Sequence, residues 1–246
     1  METSDFVKTL DLEGQLLADT AERAGMDTRV PACPDWHVAD LLRHTGSVHR
    51  WAAGYVLEGL LERRPFPDAP ELTGPELLAW FREGHADLVR ALTEAPEGTE
   101  CWTFLPTAAP SPLAFWARRQ AHETTVHRMD AEAALGIAFS PVEARFAEDG
   151  VDELLTGFHA RARSRVRTER PTVLRVRAAD TGAVWTVHLS PEPPRTVRGD
   201  EGAADCEVTG PAAWLYTALW NRLPLAGPAV RGDASVARLW SETAGI

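Results

Sequence analysis

Apolar positions repeat at helical spacing through the first part of the chain and alternate in its last third. Phe6, Leu10, Leu16, Leu17 and Ala21 form one loose stripe and predict a helix over 4–24. A second helix is expected from near Trp36, capped by Asp35, to about Arg63, where Arg64-Pro65-Phe66-Pro67 breaks it. A third is expected over 74–95, with Pro75 at the first helical position and Leu77, Leu78, Phe81, Leu88 and Leu92 inward. A fourth is expected from about Ser111 to Leu135, opened by Ser111 and Pro112 and closed by Gly136. Four long helices separated by short breaks predict a four-helix bundle.

The character changes after Pro141. A fifth helix is expected over 151–162, and the basic run Arg161, Arg163, Arg165, Arg167 and Arg170 reads as a solvated helix end and linker. Val173 to Arg177 and Val184 to Leu189 alternate on either side of Asp180-Thr181-Gly182, which predicts a β-hairpin. Short strands are expected over 195–198 and 206–209, and helices over 211–221 and 234–244. The expected fold class is α+β in two domains: a metal-binding helix bundle over 1–145 and a small C-terminal α+β domain over 146–246.

Composition narrows the function without naming it. The chain has 246 residues, enough for two modest cores, with 44% hydrophobic and 25% charged residues as in ordinary globular proteins. A net charge of −11 argues against a nucleic-acid binder. Arginine is used in place of lysine, Lys8 being the single lysine, which reflects genome composition more simply than function. No apolar run has the length of a membrane span, and the early charges Glu2, Asp5 and Lys8 speak against a signal peptide. Cys33, Cys101 and Cys206 are odd in number and far apart, so neither a disulfide framework nor a metal knuckle is expected, and a reducing cytoplasm fits them.

The chemistry concentrates in the expected second and fourth helices. Glu123 and His127 are four apart and share a helix face, and Asp130 continues that stripe as a carboxylate able to orient a ligand. His122 and His127 are five apart and point about 140° from each other, so the segment lacks the H-E-x-x-H geometry it resembles. His37, Asp40 and His44 share a face of the second helix, whereas His49 turns off it. His44, flanked by Leu41, Leu42 and Val48, is the inward candidate. His44, Glu123 and His127 are therefore expected to form a three-ligand metal site with an open position, the arrangement that catalytic metals use. A histidine on a helix is more often packed or solvated than a ligand. His37, His49, His85, His122, His159 and His188 are read that way.

Three stretches carry a family resemblance. The pattern P-x-W-x-V-x-D-L-x-x-H-x-G runs from Pro34 to Gly46, and R-x-x-x-H-E-x-x-x-H-R-x-D-A-E runs from Arg118 to Glu132. Val208 to Pro224 reads V-T-G-P-A-A-W-L-Y-x-A-L-W-N-R-L-P. Together they resemble the mycothiol-dependent maleylpyruvate isomerase family, a branch of the DinB-like metal-binding four-helix bundles with a second domain similar to sterol carrier proteins. The resemblance implies a divalent metal, zinc foremost, held by His44, Glu123 and His127, with mycothiol as thiol cosubstrate. It also implies a site arginine from the second domain, at Arg222; a cation closing its helix end is the plainer reading of that residue.

The resemblance implies an isomerase or S-transferase acting on a small electrophile that bears a carboxylate. A metal-dependent hydrolase and a non-catalytic small-molecule binder remain as alternatives. The expected partners are the substrate and a low-molecular-weight thiol, without nucleic acid or membrane, in a monomer or homodimer.

Overall fold

The structure, a computed structural model, describes residues 1–105 and 109–245. It divides into two compact units: 1–104 with 109–140, and 141–245 with Leu105.

The first unit is a bundle of four helices: α1 (Thr3–Ala24), α2 (Val38–Glu58), α3 (Gly74–Glu94) and α4 (Pro112–Leu135). They form a ring in which α4 packs on α1 and α2, and α3 packs on the same two from the other side. Leu10, Leu17, Leu41, Phe81 and Leu88 fill the interior and are fully buried. Each contributes on the order of 1.5–3 kcal/mol relative to an exposed side chain. Two glycines permit close approach between helices: the ring of His85 lies over Gly14, and that of Trp80 over Gly46. Helix α4 begins and ends where its caps dictate. Ser111 Oγ accepts from the Ala114 amide at 3.1 Å, and Gly136 takes the left-handed conformation at φ 73°.

Helix α2 differs from the expectation at both ends. It opens at Val38 rather than Trp36, because His37 occupies the N-cap and the Asp40 carboxylate accepts its amide hydrogen at 2.9 Å. Asp35 lies in the preceding turn, where the Val30 amide donates to the Trp36 carbonyl and the Val38 amide to the Thr28 carbonyl. At the other end Gly59 adopts φ 60° and closes the helix six residues before Pro65.

Helix α4 is buried around nearly its whole circumference. Its polar residues must therefore find partners inside the protein. On one side Arg128, fully buried, donates from Nε to Glu13 of α1 at 2.7 Å and from Nη1 to Glu132. Glu132 also accepts from the amide and hydroxyl of Ser140, which ties down the chain where it leaves the helix.

The second unit opens with α5 (Ala144–Asp152), which continues into a wider π-type turn over 153–158. This corrects the expected helix over 151–162: Glu143 caps seven residues earlier, its carboxylate accepting from the Phe146 amide at 2.9 Å. The sheet comprises β1 (Thr172–Ala178), β2 (Val184–Leu189), β3 (Arg195–Arg198), β4 (Cys206–Gly210) and β5 (Val230–Gly232) in the order β3-β2-β1-β4-β5. Strands β1 and β4 run parallel and the other neighbours antiparallel. The hairpin β1–β2 is the one its alternation predicts; β5 is too short to leave such a signal. Helices α6 (Ala212–Leu219) and α7 (Ala234–Thr243) complete the unit. Among the described residues no helix is long and apolar enough to cross a membrane.

Candidate metal centre

Glu123 and His127 stand one turn apart on α4, and His44 of α2 meets them across the seam between the two helices. Nε2 of His44 and Nε2 of His127 each lie 3.3 Å from Oε1 of Glu123. One nitrogen from each histidine and one carboxylate oxygen fall within 4.8 Å of one another. Two donors about 2.1 Å from a common tetrahedral ion stand about 3.4 Å apart, so the two histidine–glutamate edges match what such an ion requires. Two imidazoles and one carboxylate also form a donor set that zinc and neighbouring divalent metals accept.

The surroundings fix each of the three side chains. Asp130, fully buried, lies with Oδ2 2.9 Å from Nδ1 of His127 and takes that nitrogen's proton as its hydrogen bond, turning Nε2 toward Glu123. Trp36 and Phe66 bracket His44, with ring centroids at 4.9 and 6.0 Å. Arg119, one turn before Glu123, places Nη2 3.2 Å from Oε2. Along α4 the positions 119, 123 and 127 thus form one stripe. The four-residue spacing of Arg119 and Glu123 is the sequence signal that marks Arg119 as part of this site.

Electrostatics follow from this packing. Burial works against a charge on Glu123, but the hydrogen bonds of His127 and His44 and the charges of His127 and Arg119 outweigh it and hold the carboxyl well below its usual range. Burial likewise disfavours a charge on His127, and the bonds and charges of Asp130 and Glu123 overcome it, raising the imidazole to about 9. The two carboxylates, Asp130 and Glu123, thus favour a positive charge on the ring between them.

The remaining histidines of the bundle point elsewhere. His122 is buried on the opposite side of α4, edge-on to Phe6 of α1. His49 places Nε2 2.9 Å from Oγ1 of Thr124, and His85 places its Nε2 3.1 Å from the Leu10 carbonyl. Burial lowers the pKa of both rings. His37 is the N-cap of α2. None of the three cysteines forms a disulfide, and burial pushes the thiols of Cys101 and Cys206 up, away from the reactive thiolate.

Arg222 belongs to the second unit, just beyond α6. Its amide donates to the Thr217 carbonyl at 3.0 Å and its Nη1 to the Trp220 carbonyl at 2.7 Å. Part of the guanidinium thus closes the helix end.

Residues 10–132 match the family model described as mycothiol maleylpyruvate isomerase N-terminal domain, and residues 145–239 match the corresponding C-terminal domain. The chain belongs to the mycothiol maleylpyruvate isomerase family. Two solved structures share the fold: the mycothiol-dependent maleylpyruvate isomerase and a histidine-to-alanine mutant of it. Both superpose with a TM-score of 0.64, at 13% and 12% identity, over 95% of this chain and 94% of theirs. No curated protein matches the chain in sequence. At such identity the likeness speaks for the fold alone.

Proposed function

We propose that the protein is a metal-dependent enzyme that uses mycothiol as cosubstrate to isomerise a small, electrophilic, carboxylate-bearing compound. Zinc is the foremost metal, and His44, Glu123 and His127 are its ligands. The observation that carries the reading is the convergence of both imidazole Nε2 atoms on the single oxygen Oε1 of Glu123, at 3.3 Å each. Such a cluster, left without a cation, concentrates titratable groups at a mouth that is partly open: the side chain of His44 is 33% exposed and that of Glu123 21%. Family membership supports the thiol and the reaction class.

When bound, the metal supplies Lewis acidity, which lowers the pKa of a thiol reaching it and favours the thiolate. The protein's own residues prepare that step. Asp130 keeps Nε2 of His127 directed into the site, and Trp36 and Phe66 hold the ring of His44. The incoming thiolate adds its sulfur to one alkene carbon of the substrate, forming a C–S bond, while the electron pair of the double bond passes to the conjugated carbonyl. Rotation about the resulting single bond, then departure of the thiolate with return of that pair, restores the alkene in the other geometry and regenerates the cosubstrate. We assign Arg222 to the substrate carboxylate, the role that the family resemblance gives to this position; a guanidinium suits it because it can donate two parallel hydrogen bonds. A compartment that keeps a low-molecular-weight thiol reduced, the cytoplasm, suits this chemistry.

The test combines metal content and thiol-dependent turnover in one preparation. Wild type is expected to hold one equivalent of metal and to convert a cis-alkenyl keto acid in the presence of mycothiol only. His44→Ala, Glu123→Gln and His127→Ala are each expected to lose the metal and the activity while keeping their helical content. A variant retaining full metal removes its residue from the ligand set, and turnover without thiol replaces the isomerase reading with a hydrolase.

A further inference from the structure

The carboxylate of Glu123 divides its two oxygens between different neighbours. Oε1 faces both imidazoles, whereas Oε2 faces Nη2 of Arg119 at 3.2 Å. Arg119 is only 2% exposed and sits four residues before Glu123 on the same buried helix, so its guanidinium has little freedom to move away. The family pattern described above takes in Arg118 at this turn and not Arg119.

A carboxylate beside a divalent cation can bind through one oxygen or chelate through both. Turning Oε2 toward the cation would compete with its bond to Arg119, an unfavourable exchange because that guanidinium is 2% exposed and water barely replaces what it loses. We propose that Arg119 is a positioning residue that restricts Glu123 to a single ligating oxygen, Oε1, and thereby keeps coordination positions open for thiol and substrate. The inference rests on the metal reading given above. It has an electrostatic side as well. The guanidinium offsets the carboxylate charge and draws electron density toward Oε2, which leaves the cation a stronger Lewis acid than the three ligands alone would make it.

Cobalt(II) is a probe that reports coordination number directly, because its visible bands are strong in four-coordinate sites and weak in five- or six-coordinate ones. The full chain is loaded with Co2+ as wild type, Arg119→Met and Arg119→Lys, and metal content and absorption are recorded together. Wild type is expected to take one equivalent and to show intense bands. Arg119→Met is expected to take the metal with bands weakened and shifted as Glu123 chelates. Arg119→Lys, which restores a cation, is expected to recover most of the wild-type intensity, a rescue that a mere packing role would not produce. Identical bands in wild type and Arg119→Met overturn this inference while leaving the ligand assignment standing. A wild type that takes no Co2+ overturns both. If circular dichroism shows that Arg119→Met does not fold, Arg119→Gln, neutral and polar, replaces it with the same expected loss of intensity.

Discussion

The carboxylate of Asp130 lies 2.9 Å from Nδ1 of His127, one turn away on the same helix, and is wholly shielded from water. Its place fixes which nitrogen of the ring faces Glu123. Asp130→Asn keeps an oxygen that can accept the bond but removes the charge that strengthens it. Metal affinity, measured by competition with a chelator, is expected to fall about 10–100-fold with helical content unchanged. Affinity equal to wild type would show that the ring is oriented by its packing alone.

Arg222 offers a sharper choice between two roles. If it holds a substrate carboxylate, Arg222→Ala lowers kcat/KM for an acidic substrate by about 10- to 100-fold, the worth of a charge-assisted hydrogen bond of about 1.5–3 kcal/mol. Metal content stays at one equivalent. If the bond from its Nη1 to the Trp220 carbonyl is its whole purpose, kinetics remain as in wild type and only the thermal midpoint moves.

The ion network on the other side of α4 carries stability rather than chemistry. Arg128 is fully buried between Glu13 and Glu132. Arg128→Met strands two buried carboxylates and is expected to cost about 3–5 kcal/mol in urea unfolding. Neutralising both acids in the same chain, with Glu13→Gln and Glu132→Gln, should recover much of that loss. A single variant as stable as wild type would mean that water reaches the network.

Acid should weaken the fold through its buried histidines. Burial, with the Arg167 charge adding to it, lowers His159 from 6.5 to about 4. Between those values the unfolded chain binds a proton that the folded ring refuses, so stability is complete above pH 6.5 and declines as pH falls toward 4. The whole effect is about 3 kcal/mol. Burial shifts His49 and His85 in the same direction, so they add to the slope. His159→Gln should therefore narrow, without abolishing, the difference in unfolding free energy between pH 7 and pH 5. An unchanged difference would place the acid sensitivity elsewhere.

Local chemistry determined much of this protein from its sequence. Ser111, Pro112 and Gly136 bound α4 because capping is decided by neighbouring residues, and the alternation of Val184 to Leu189 marks a strand for the same reason. The four-residue step from Glu123 to His127 places both on one face wherever the helix lies. The N-terminal end of α2 escaped because the backbone pairing of residues 28–30 with 36–38 makes His37 the cap in place of Asp35, and the C-terminal end because Gly59 takes φ 60° before the Pro65 break is reached. Tertiary structure alone decided the rest. His44 is 79 residues from Glu123, so only the packing of α2 on α4 sets their 3.3 Å separation. The burial of α4 on all sides gives Arg119, Asp130 and Arg128 their force: an ion pair worth little in water becomes a positioning device once water is excluded.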